Sequence, residues 1–314
     1  MNLQTKIQLK KQSEDLIDYN SNMLLLGSCF SDNIGAKLDY FKFQNLQNPF
    51  GILFQPKAIE NLITNAINEK VYSEKDIFFE NGQWHSFEAH SKLSDVSKED
   101  LLNNLNTQIK LTNEKIHDAT HIIITLGTAW VYRFLETNKI VANCHKVPPK
   151  QFIKELLSVE AIEKSLLAII NLLRSVNVHA SIIFTVSPVR HLKDGFVENT
   201  LSKSHLITAI HSILNNDVFY FPSYEIMMDE LRDYRFYAED MIHPNQTAIN
   251  YIWEKFSAVW VSDNALKTME AVDDIQKGIQ HKPFNANSLE YKNFINKLET
   301  KKLSLKEAYP HMVF

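Results

Sequence analysis

The feature that most constrains the fold is a short apolar run that stops at a glycine and is followed by small polar residues. Residues 22–26 are mostly apolar, and Gly27, Ser28 and Cys29 come directly after them. This pattern predicts a buried strand, a tight turn and a helix that continues through 32–39. In α/β folds the carboxyl ends of strands carry the chemistry, and the free N–H groups of the next helix point toward it. The stretch therefore predicts an α/β fold with a site at the end of the first strand.

Two adjacent residues of this turn, Ser28 and Cys29, are candidate nucleophiles. A thiol at a helix start is biased toward the thiolate, which is the reactive form. The alternative is a structural role, since a buried cysteine also packs as a small hydrophobic residue. These residues alone leave both interpretations open.

A second polar group near the other end of the chain favours the functional interpretation. Asp240 precedes His243 by one turn, and Pro244 follows. The carboxylate can set the tautomer of the imidazole, which leaves the other ring nitrogen to act as a base. Proline suits a helix start, and the helix Gln246–Trp260 is predicted after it.

Strands and helices alternate between these two ends. Besides 22–26, buried strands are predicted at His121–Leu126, 180–186 and 219–221. Helices are predicted at 57–70, 97–118, 160–176, 200–215 and near 226–231. Asn81-Gly82 between aromatic runs predicts a hairpin insertion, and 131–134 with 139–141 predicts a second strand pair.

Composition excludes several classes of partner. The chain has 314 residues, 45% of them hydrophobic, with a net charge of −4, so we expect no nucleic-acid partner and no membrane partner. No run is long enough to span a membrane, and the first residues lack the apolar core of a signal peptide. Two cysteines suit a reducing compartment. We therefore expect a soluble cytoplasmic protein.

The two polar groups together resemble the first and last blocks of the SGNH (GDSL-like) hydrolase superfamily. Gly27-Ser28-Cys29-Phe30-Ser31 is similar to the signature that names its GSCFA branch. Further similar stretches are Asn48-Pro49-Phe50-Gly51, Thr125-Leu126-Gly127-Thr128-Ala129-Trp130, Asn143-Cys144-His145-Lys146, Thr185-Val186-Ser187-Pro188-Val189-Arg190 and Phe221-Pro222-Ser223-Tyr224-Glu225. The resemblance implies a three-layer α/β/α sandwich with a mostly parallel sheet.

The resemblance also implies roles for individual residues. An ungapped register puts Cys29 where the superfamily has its serine, so Cys29 is our first choice of nucleophile and Ser28 the second. His243 would activate it, and Asp240 would orient His243. The N–H groups of Cys29 and Gly51 would hold the oxyanion, with Asn48 in the same loop as a further substrate-binding candidate.

One departure from the superfamily pattern concerns the oxyanion. The superfamily has an asparagine after the strand that ends at Gly127, and this chain has Thr128-Ala129-Trp130 instead. Losing one such donor costs an enzyme roughly 10²–10³ in rate. We expect a substitute, for which Thr128, Asn143 and His145 are the candidates.

Several other polar residues allow two interpretations each. Arg190, or His191 beside it, can meet an anionic group of a substrate or can bridge loops. His85, His90 and Trp84 can line the pocket mouth or pack the hairpin. Possible metal ligands are Cys144, His145 and His90, but these residues lack the repeated close spacing of zinc ligands. We expect no metal and no cofactor.

The resemblance divides the chain into a catalytic domain, 1–263, and a helical extension, 264–314, with helices at 264–281 and 287–302. The extension would dock on the body or support homo-oligomers. The expected function is an acyl-ester hydrolase or O-acyltransferase acting on an acylated carbohydrate or small metabolite. The alternative is a catalytically silent module that binds a glycan or metabolite.

Overall fold

The computed structural model describes residues 4–285 and 287–314. The strands are, in chain order, β1 (Asn22–Gly27), β2 (Gln44–Gln47), β3 (Phe78–Glu80), β4 (Gln83–His85), β5 (His121–Leu126), β6 (Trp130–Phe134), β7 (Lys139–Val141), β8 (Phe152–Leu156), β9 (Ser181–Val186) and β10 (Val218–Phe221). The helices are α1 (Cys29–Tyr40), α2 (Pro56–Ile67), α3 (Lys98–Asp118), α4 (Val159–Val176), α5 (Phe196–Ile213), α6 (Ser223–Glu225), α7 (Gln246–Trp260), α8 (Asp263–Gln280) and α9 (Leu289–Ala308). The single turn α6 continues as a π-helix over Ile226–Glu230.

Five parallel strands form the central sheet in the order β2, β1, β5, β9, β10. The direction of winding reverses between β1 and β5, since β2 lies on one side of β1 and the later strands on the other. In doubly wound sheets ligands bind beyond the carboxyl ends of the strands at such a reversal. The ends of β1 and β5 therefore mark the expected position of a site.

Alternate residues of β1 pack on opposite faces of this sheet. Leu24 and Leu26 belong to a buried cluster with α2, α3, α4 and α5. Met23 and Leu25 belong to a second cluster with α1, α7 and α8. Because successive side chains of a strand point to opposite faces, a strand covered on both sides is apolar throughout. The predicted α/β/α sandwich with a mostly parallel sheet is confirmed.

Two antiparallel insertions lie outside the central sheet. β3 and β4 form the predicted hairpin, and Asn81 and Gly82 both have positive φ angles, 50° and 83°, which suit a two-residue hairpin turn. β6 pairs with β7 as predicted, but β8 also pairs with β6. Our prediction lacks β8 because Lys154 and Glu155 interrupt its apolar pattern. Glu155 instead forms an ion pair with Arg133 of β6, 2.6 Å between Oε1 and Nε.

Predicted and observed helices differ mainly at their ends. α1 begins at Cys29, at the predicted helix start, because Ser28 caps it. α5 begins at Phe196 rather than at residue 200, directly after Gly195, whose φ is 108°. α2 ends before residue 70, and α9 extends beyond residue 302. Of the helices within 4–285 and 287–314, none combines the length and apolar character that crossing a membrane requires.

The C-terminal helices α8 and α9 dock on the body of the protein. The hydroxyl of Tyr40, at the end of α1, donates to Asp273 of α8 over 2.8 Å. Met312, beyond α9, is buried in the same cluster as α1. Docking is one of the two arrangements expected for the extension. Self-association and a domain boundary near residue 264 stay predictions.

β1 ends at a position that requires glycine. Gly27 has a φ of 134°, and a Cβ at this residue would lie 2.1 Å from the carbonyl oxygen of Thr125 in β5. Its N–H donates to Asn48 Oδ1 over 2.8 Å, and its carbonyl accepts the N–H of Leu53 over 3.0 Å. These contacts join the end of β1 to β5 and to the loop after β2, so they determine where α1 begins.

Gly27→Ala is expected to lower the free energy of unfolding by more than about 3 kcal/mol, because the added Cβ must displace the β5 backbone. Gly82→Ala is the matched control. Gly82 also has a positive φ, but nothing lies within 4 Å of its Cβ position, so the loss should be about 1–2 kcal/mol. Urea unfolding followed by circular dichroism measures both. Equal losses of unfolding free energy in the two variants would contradict the claim that the close approach of Gly27 to Thr125 requires glycine.

Candidate active site

Ser28 is the N-cap of α1. Its side-chain oxygen accepts the N–H of Phe30 over 3.2 Å, and its own N–H donates to Thr125 O over 3.0 Å. The residue is only 1% exposed. Ser28 thus satisfies one of the unpaired N–H groups of the helix start, and its hydroxyl is held in the interior.

Cys29 is the first residue of α1 and is half-buried. Burial raises the pKa of its thiol, and the carboxylate of Asp32 raises it further. The N–H groups at the helix start and the ammonium of Lys203 lower this pKa, but by less. The expected bias toward thiolate is therefore wrong, because loss of water and a nearby negative charge outweigh the helix start. The thiol is protonated at neutral pH.

Lys203 of α5 lies in the interior, near the thiol. It is 1% exposed, and its Nζ donates to the carbonyl of Ser187, just after β9, over 2.7 Å. Nζ also lies 5.5 Å from the centre of the Tyr224 ring. Burial lowers the pKa of Lys203 to about 7, and the interaction with Cys29 opposes this shift in part. A group that changes protonation near neutral pH thus acts on Cys29.

In the loop before α7, the carboxylate of Asp240 is hydrogen-bonded to His243 and fixes its orientation. His243 Nδ1 lies 2.6 Å from Asp240 Oδ2, and Oδ1 accepts the N–H groups of Ile242 and His243 over 2.9 and 3.0 Å. Hydrogen bonds from the backbone and ring of His243 and from Ile242 lower the pKa of Asp240 to about 2. Because the ionised carboxylate accepts the Nδ1 proton, Nε2 of His243 is left as a proton acceptor.

Arg190 joins this loop to the end of β9. Its Nε donates to Tyr237 Oη over 3.0 Å, and its guanidinium lies over the rings of Tyr237 and Tyr234, 4.0 and 5.1 Å from their centres. Its backbone N–H donates to Ile242 O over 3.2 Å. These contacts match the loop-bridging alternative for Arg190. Contact with a substrate anion stays a prediction.

Asn48 and Gly51 are both hydrogen-bonded within the loop after β2. Asn48 Oδ1 accepts the N–H of Gly27, and its Nδ2 donates to Asp32 Oδ1 over 2.5 Å. The N–H of Gly51 donates to the carbonyl of Asn48 over 2.7 Å. The amide expected to hold an oxyanion is therefore engaged in a turn, and Asn48 organises the turn around Gly27.

Thr128 is buried just after β5, and its side chain forms hydrogen bonds with neighbouring groups of the protein. Its Oγ1 lies 2.9 Å from Ser202 Oγ and accepts the N–H of Trp130 over 3.0 Å. Thr128 as the substitute for the missing asparagine stays a prediction, as does the N–H of Cys29 as an oxyanion donor.

Asn143 and His145 lie on the turn after β7. Asn143 Oδ1 accepts the N–H of His145 over 2.9 Å. His145 Nε2 lies 2.7 Å from Ser86 O and 3.1 Å from Ala89 O, so it carries the ring proton. Burial lowers the pKa of His145 to about 4, which keeps the ring neutral. Its Nδ1 is buried without a hydrogen-bond partner.

A cleft of about 510 Å³ brings Thr128, Asn143 and His145 together. His90 lines one side and lies against Gly51, with its Cβ 2.5 Å from where a Cβ of Gly51 would be. On the other side is His191, which interacts electrostatically with Lys203 and His243. The lining thus includes residues of the loops that follow β2 and β9, but neither Cys29 nor His243 is part of it.

The two histidines of the hairpin region have different positions. Both ring nitrogens of His85 are hydrogen-bonded within the hairpin and the turn after it, which matches hairpin packing, whereas His90 lines the cleft. Cys144 and His145 line it too. In the described part of the chain, no three His, Cys, Asp or Glu side chains are arranged to hold a metal ion.

Sequence reasoning did not single out Lys203 or Gln55, and it named His191 only beside Arg190. The available signal for Lys203 is its spacing, since Leu206 and Ile210 follow it on the buried face of α5. Gln55 precedes the proline that begins α2, a position typical of a helix cap. Neither signal shows that the residue approaches a cleft.

Comparisons with known proteins place the chain in a family. A model of the GSCFA family matches residues 22–256, and a model of the GSCFA domain protein, C-terminal domain, matches residues 272–314. No curated protein matches the chain significantly.

Two solved structures show a distant likeness. One is a carbohydrate esterase family 3 protein from Talaromyces cellulolyticus, with a TM-score of 0.36, 9% identity, and coverage of 81% of this chain and 99% of that one. The other is the acetyl xylan esterase Est2A from the rumen bacterium Butyrivibrio proteoclasticus, with a TM-score of 0.34, 10% identity, and coverage of 84% and 65%. Both are too distant to inform on chemistry.

Cys29 should react with iodoacetamide only above the pH at which an ordinary thiol reacts, because its pKa is raised. Asp32→Asn removes a negative charge beside the thiol and should move the labelling midpoint to lower pH. Peptide mass spectrometry follows Cys29 separately from Cys144, whose pKa burial raises to about 11. A midpoint below that of a free thiol, or no downward shift in Asp32→Asn, would contradict these electrostatics.

Proposed function

This chain belongs to the GSCFA family, and we propose that it hydrolyses an acyl ester or transfers the acyl group to another hydroxyl. Cys29 is the proposed nucleophile, His243 the general base and Asp240 the residue that orients His243. The proposed substrate is an acylated carbohydrate or another small acylated metabolite. The reaction as proposed uses no cofactor, and we propose a cytoplasmic location because only two cysteines are present.

The observation that supports this proposal is that the Asp240–His243 pair lies at the carboxyl edge of the sheet, where Cys29 follows β1. Arg190 and His191 follow the carboxyl end of β9. The N–H of Arg190 donates to the loop that contains His243, and His191 interacts electrostatically with His243. An ionised carboxylate, an oriented imidazole and a thiol at one edge make up the parts of a nucleophile–base–orienter arrangement.

The raised pKa of Cys29 decides how the thiol would react. A protonated thiol needs a base during the attack, so His243 Nε2 takes the proton while Sγ bonds to the ester carbonyl carbon. The carbonyl oxygen becomes an oxyanion, which the N–H of Cys29 at the positive end of α1 stabilises. Collapse of the oxyanion breaks the bond to the alcohol oxygen, and His243 returns the proton to the leaving alcohol.

The second half of the reaction releases the acyl group from the thioester. Water or a second hydroxyl loses its proton to His243 and attacks the thioester carbon. The Cys29 thiolate then leaves and recovers the proton from His243. The ammonium of Lys203 favours this step, because its charge stabilises the departing thiolate.

A catalytically silent binding module is the second candidate, and the hydrogen bonds of two residues favour it. The N–H of Gly51 and the hydroxyl of Thr128 are both engaged within the protein, which leaves an oxyanion with few donors. Such a module would hold a glycan or metabolite in the cleft and release it unchanged.

Hydrolysis of a short-chain aryl acetate tests the proposal. Cys29→Ala is expected to lower kcat/KM by about 10³-fold, and His243→Ala by about 10²–10⁴-fold, because each removes a group used in the transition state. Asp240→Asn should lower kcat with little change in KM, since it disturbs the orientation of His243 and not substrate binding.

Two control variants separate the thiol from its neighbours. Cys144→Ala removes the other thiol and should change kcat/KM by less than about threefold. Ser28→Ala should lower the free energy of unfolding by about 1 kcal/mol through loss of the helix cap, with far less effect on kcat/KM than Cys29→Ala. A fully active Cys29→Ala variant would rule out the thiol as nucleophile, and no turnover by the unmodified protein would favour the binding module.

A further inference from the structure

The loop that carries His243, residues 238–243, is closed at its base and open to solvent at its tip. Tyr237 and Pro244 pair as an isolated bridge at the base. The side chains of Asp240 and His243 are 45% and 46% exposed. This histidine loop therefore gains little from apolar burial at its tip, and the position of the tip depends on specific contacts.

Asp240 fixes the internal shape of the histidine loop. Its carboxylate accepts the N–H groups of Ile242 and His243 and contacts the ring of His243. Met241, between them in the chain, has a left-handed φ of 56°. All of these features lie within the loop itself. They orient the imidazole within the loop, but they do not fix the loop relative to the central sheet.

Arg190 contacts the histidine loop from outside, at both its tip and its base. It follows the carboxyl end of β9, and its N–H donates to the carbonyl of Ile242 at the tip over 3.2 Å. Its Nε donates to Tyr237 Oη at the base over 3.0 Å. The backbone and the side chain of one residue thus connect the end of a central strand to two points of the loop.

Tyr237 links the guanidinium of Arg190 to the backbone beside His243. Tyr237 is only 6% exposed, and its Oη also donates to Met228 Sδ over 3.6 Å. Its backbone pairs with Pro244, the residue that follows His243. Because the ring is buried and its hydroxyl is bonded on two sides, a shift of the guanidinium displaces the base of the histidine loop.

The surroundings of the guanidinium favour this role over recognition of a substrate anion. The guanidinium lies over the rings of Tyr237 and Tyr234, 4.0 and 5.1 Å from their centres. A planar guanidinium that stacks on rings and donates along a fixed direction depends on its shape as well as its charge, and a lysine ammonium cannot replace it. Attraction of an anion would depend mainly on the charge.

We propose that Arg190 is a positioning residue that holds the histidine loop where His243 can exchange a proton with Cys29. This inference rests on the proposed function for the role of His243 as the base. The anchoring of the loop by Arg190 does not depend on the reaction, so the two parts can be measured separately.

Hydrolysis of a short-chain aryl acetate tests whether Arg190 acts through His243. Arg190→Met and Arg190→Lys should each lower kcat by about 10–10²-fold and change KM by less than about threefold, because a misplaced base slows the reaction without weakening binding. In the His243→Ala variant, adding Arg190→Met should lower the remaining kcat by less than about twofold, since the group to be positioned is absent.

Hydrogen exchange of the full-length protein measures the anchoring without turnover. Arg190→Met should speed exchange of the amides of the histidine loop by about tenfold or more, because the loop loses its attachment to β9. Exchange within β5 should be unchanged, which excludes general unfolding. Tyr237→Phe keeps the buried ring and removes only Oη, so it should speed exchange of the same amides by a smaller factor.

Arg235→Met is the matched control variant. Arg235 lies close to the histidine loop in the chain, but its side chain is 74% exposed and its guanidinium pairs with Asp233, 3.0 Å from Nη2 to Oδ2. Its removal takes away the same kind of charge without an attachment to β9. Both kcat and the exchange of the histidine loop should therefore stay within about twofold of the unmodified protein.

The outcomes separate this inference from the proposed function. Unchanged loop exchange in Arg190→Met, full kcat in Arg190→Lys, an effect mainly on KM, or an undiminished effect in the His243→Ala background would each overturn the inference. Faster loop exchange in a protein without esterase activity would support the anchoring and reject the proposed function. Esterase activity that Arg190→Met leaves intact would support the proposed function and reject the inference.

Discussion

The close approach of Gly27 to the β5 backbone is the contact on which the arrangement of the site depends. Because residue 27 has no Cβ, β1 can run to the edge of the sheet beside Thr125 and turn at once into α1. The side chain of Asn48 then holds both the N–H of Gly27 and the carboxylate of Asp32. One residue without a side chain thus sets the position of the helix start and of the thiol on it.

Burial then sets the chemistry of the groups around this turn. Loss of water raises the pKa of Cys29 and lowers the pKa values of Lys203 and His191, so the thiol and the imidazole are uncharged at neutral pH and Lys203 is close to its titration midpoint. Such a site is unlike a preformed thiolate–imidazolium pair. It suits a reaction in which the proton moves during the attack, to a histidine that stays half-exposed and is held by an ionised carboxylate.

Local sequence patterns were sufficient for parts of the fold and of the site. Three features could be predicted because each is formed by residues close together in the chain. They are the buried strand β5, the Asn81-Gly82 turn and the Asp240–His243 pair. The position of Lys203 depends on how α5 packs against the end of β9, which no local pattern describes. β8 was not predicted because Glu155 interrupts its apolar pattern. The ion pair that accommodates this charge comes from Arg133 on another strand, which a local pattern does not reveal.

Trapping of the acyl intermediate tests the central claim, that the sulfur of Cys29 carries the acyl group, most directly. The protein would be mixed rapidly with a short-chain aryl acetate, quenched in acid and digested for peptide mass spectrometry, with and without neutral hydroxylamine. We predict an acetyl group on the peptide containing Cys29 that hydroxylamine removes, as it removes thioesters. A hydroxylamine-resistant acetyl group on Ser28, or no acetylated peptide at all, would contradict the account.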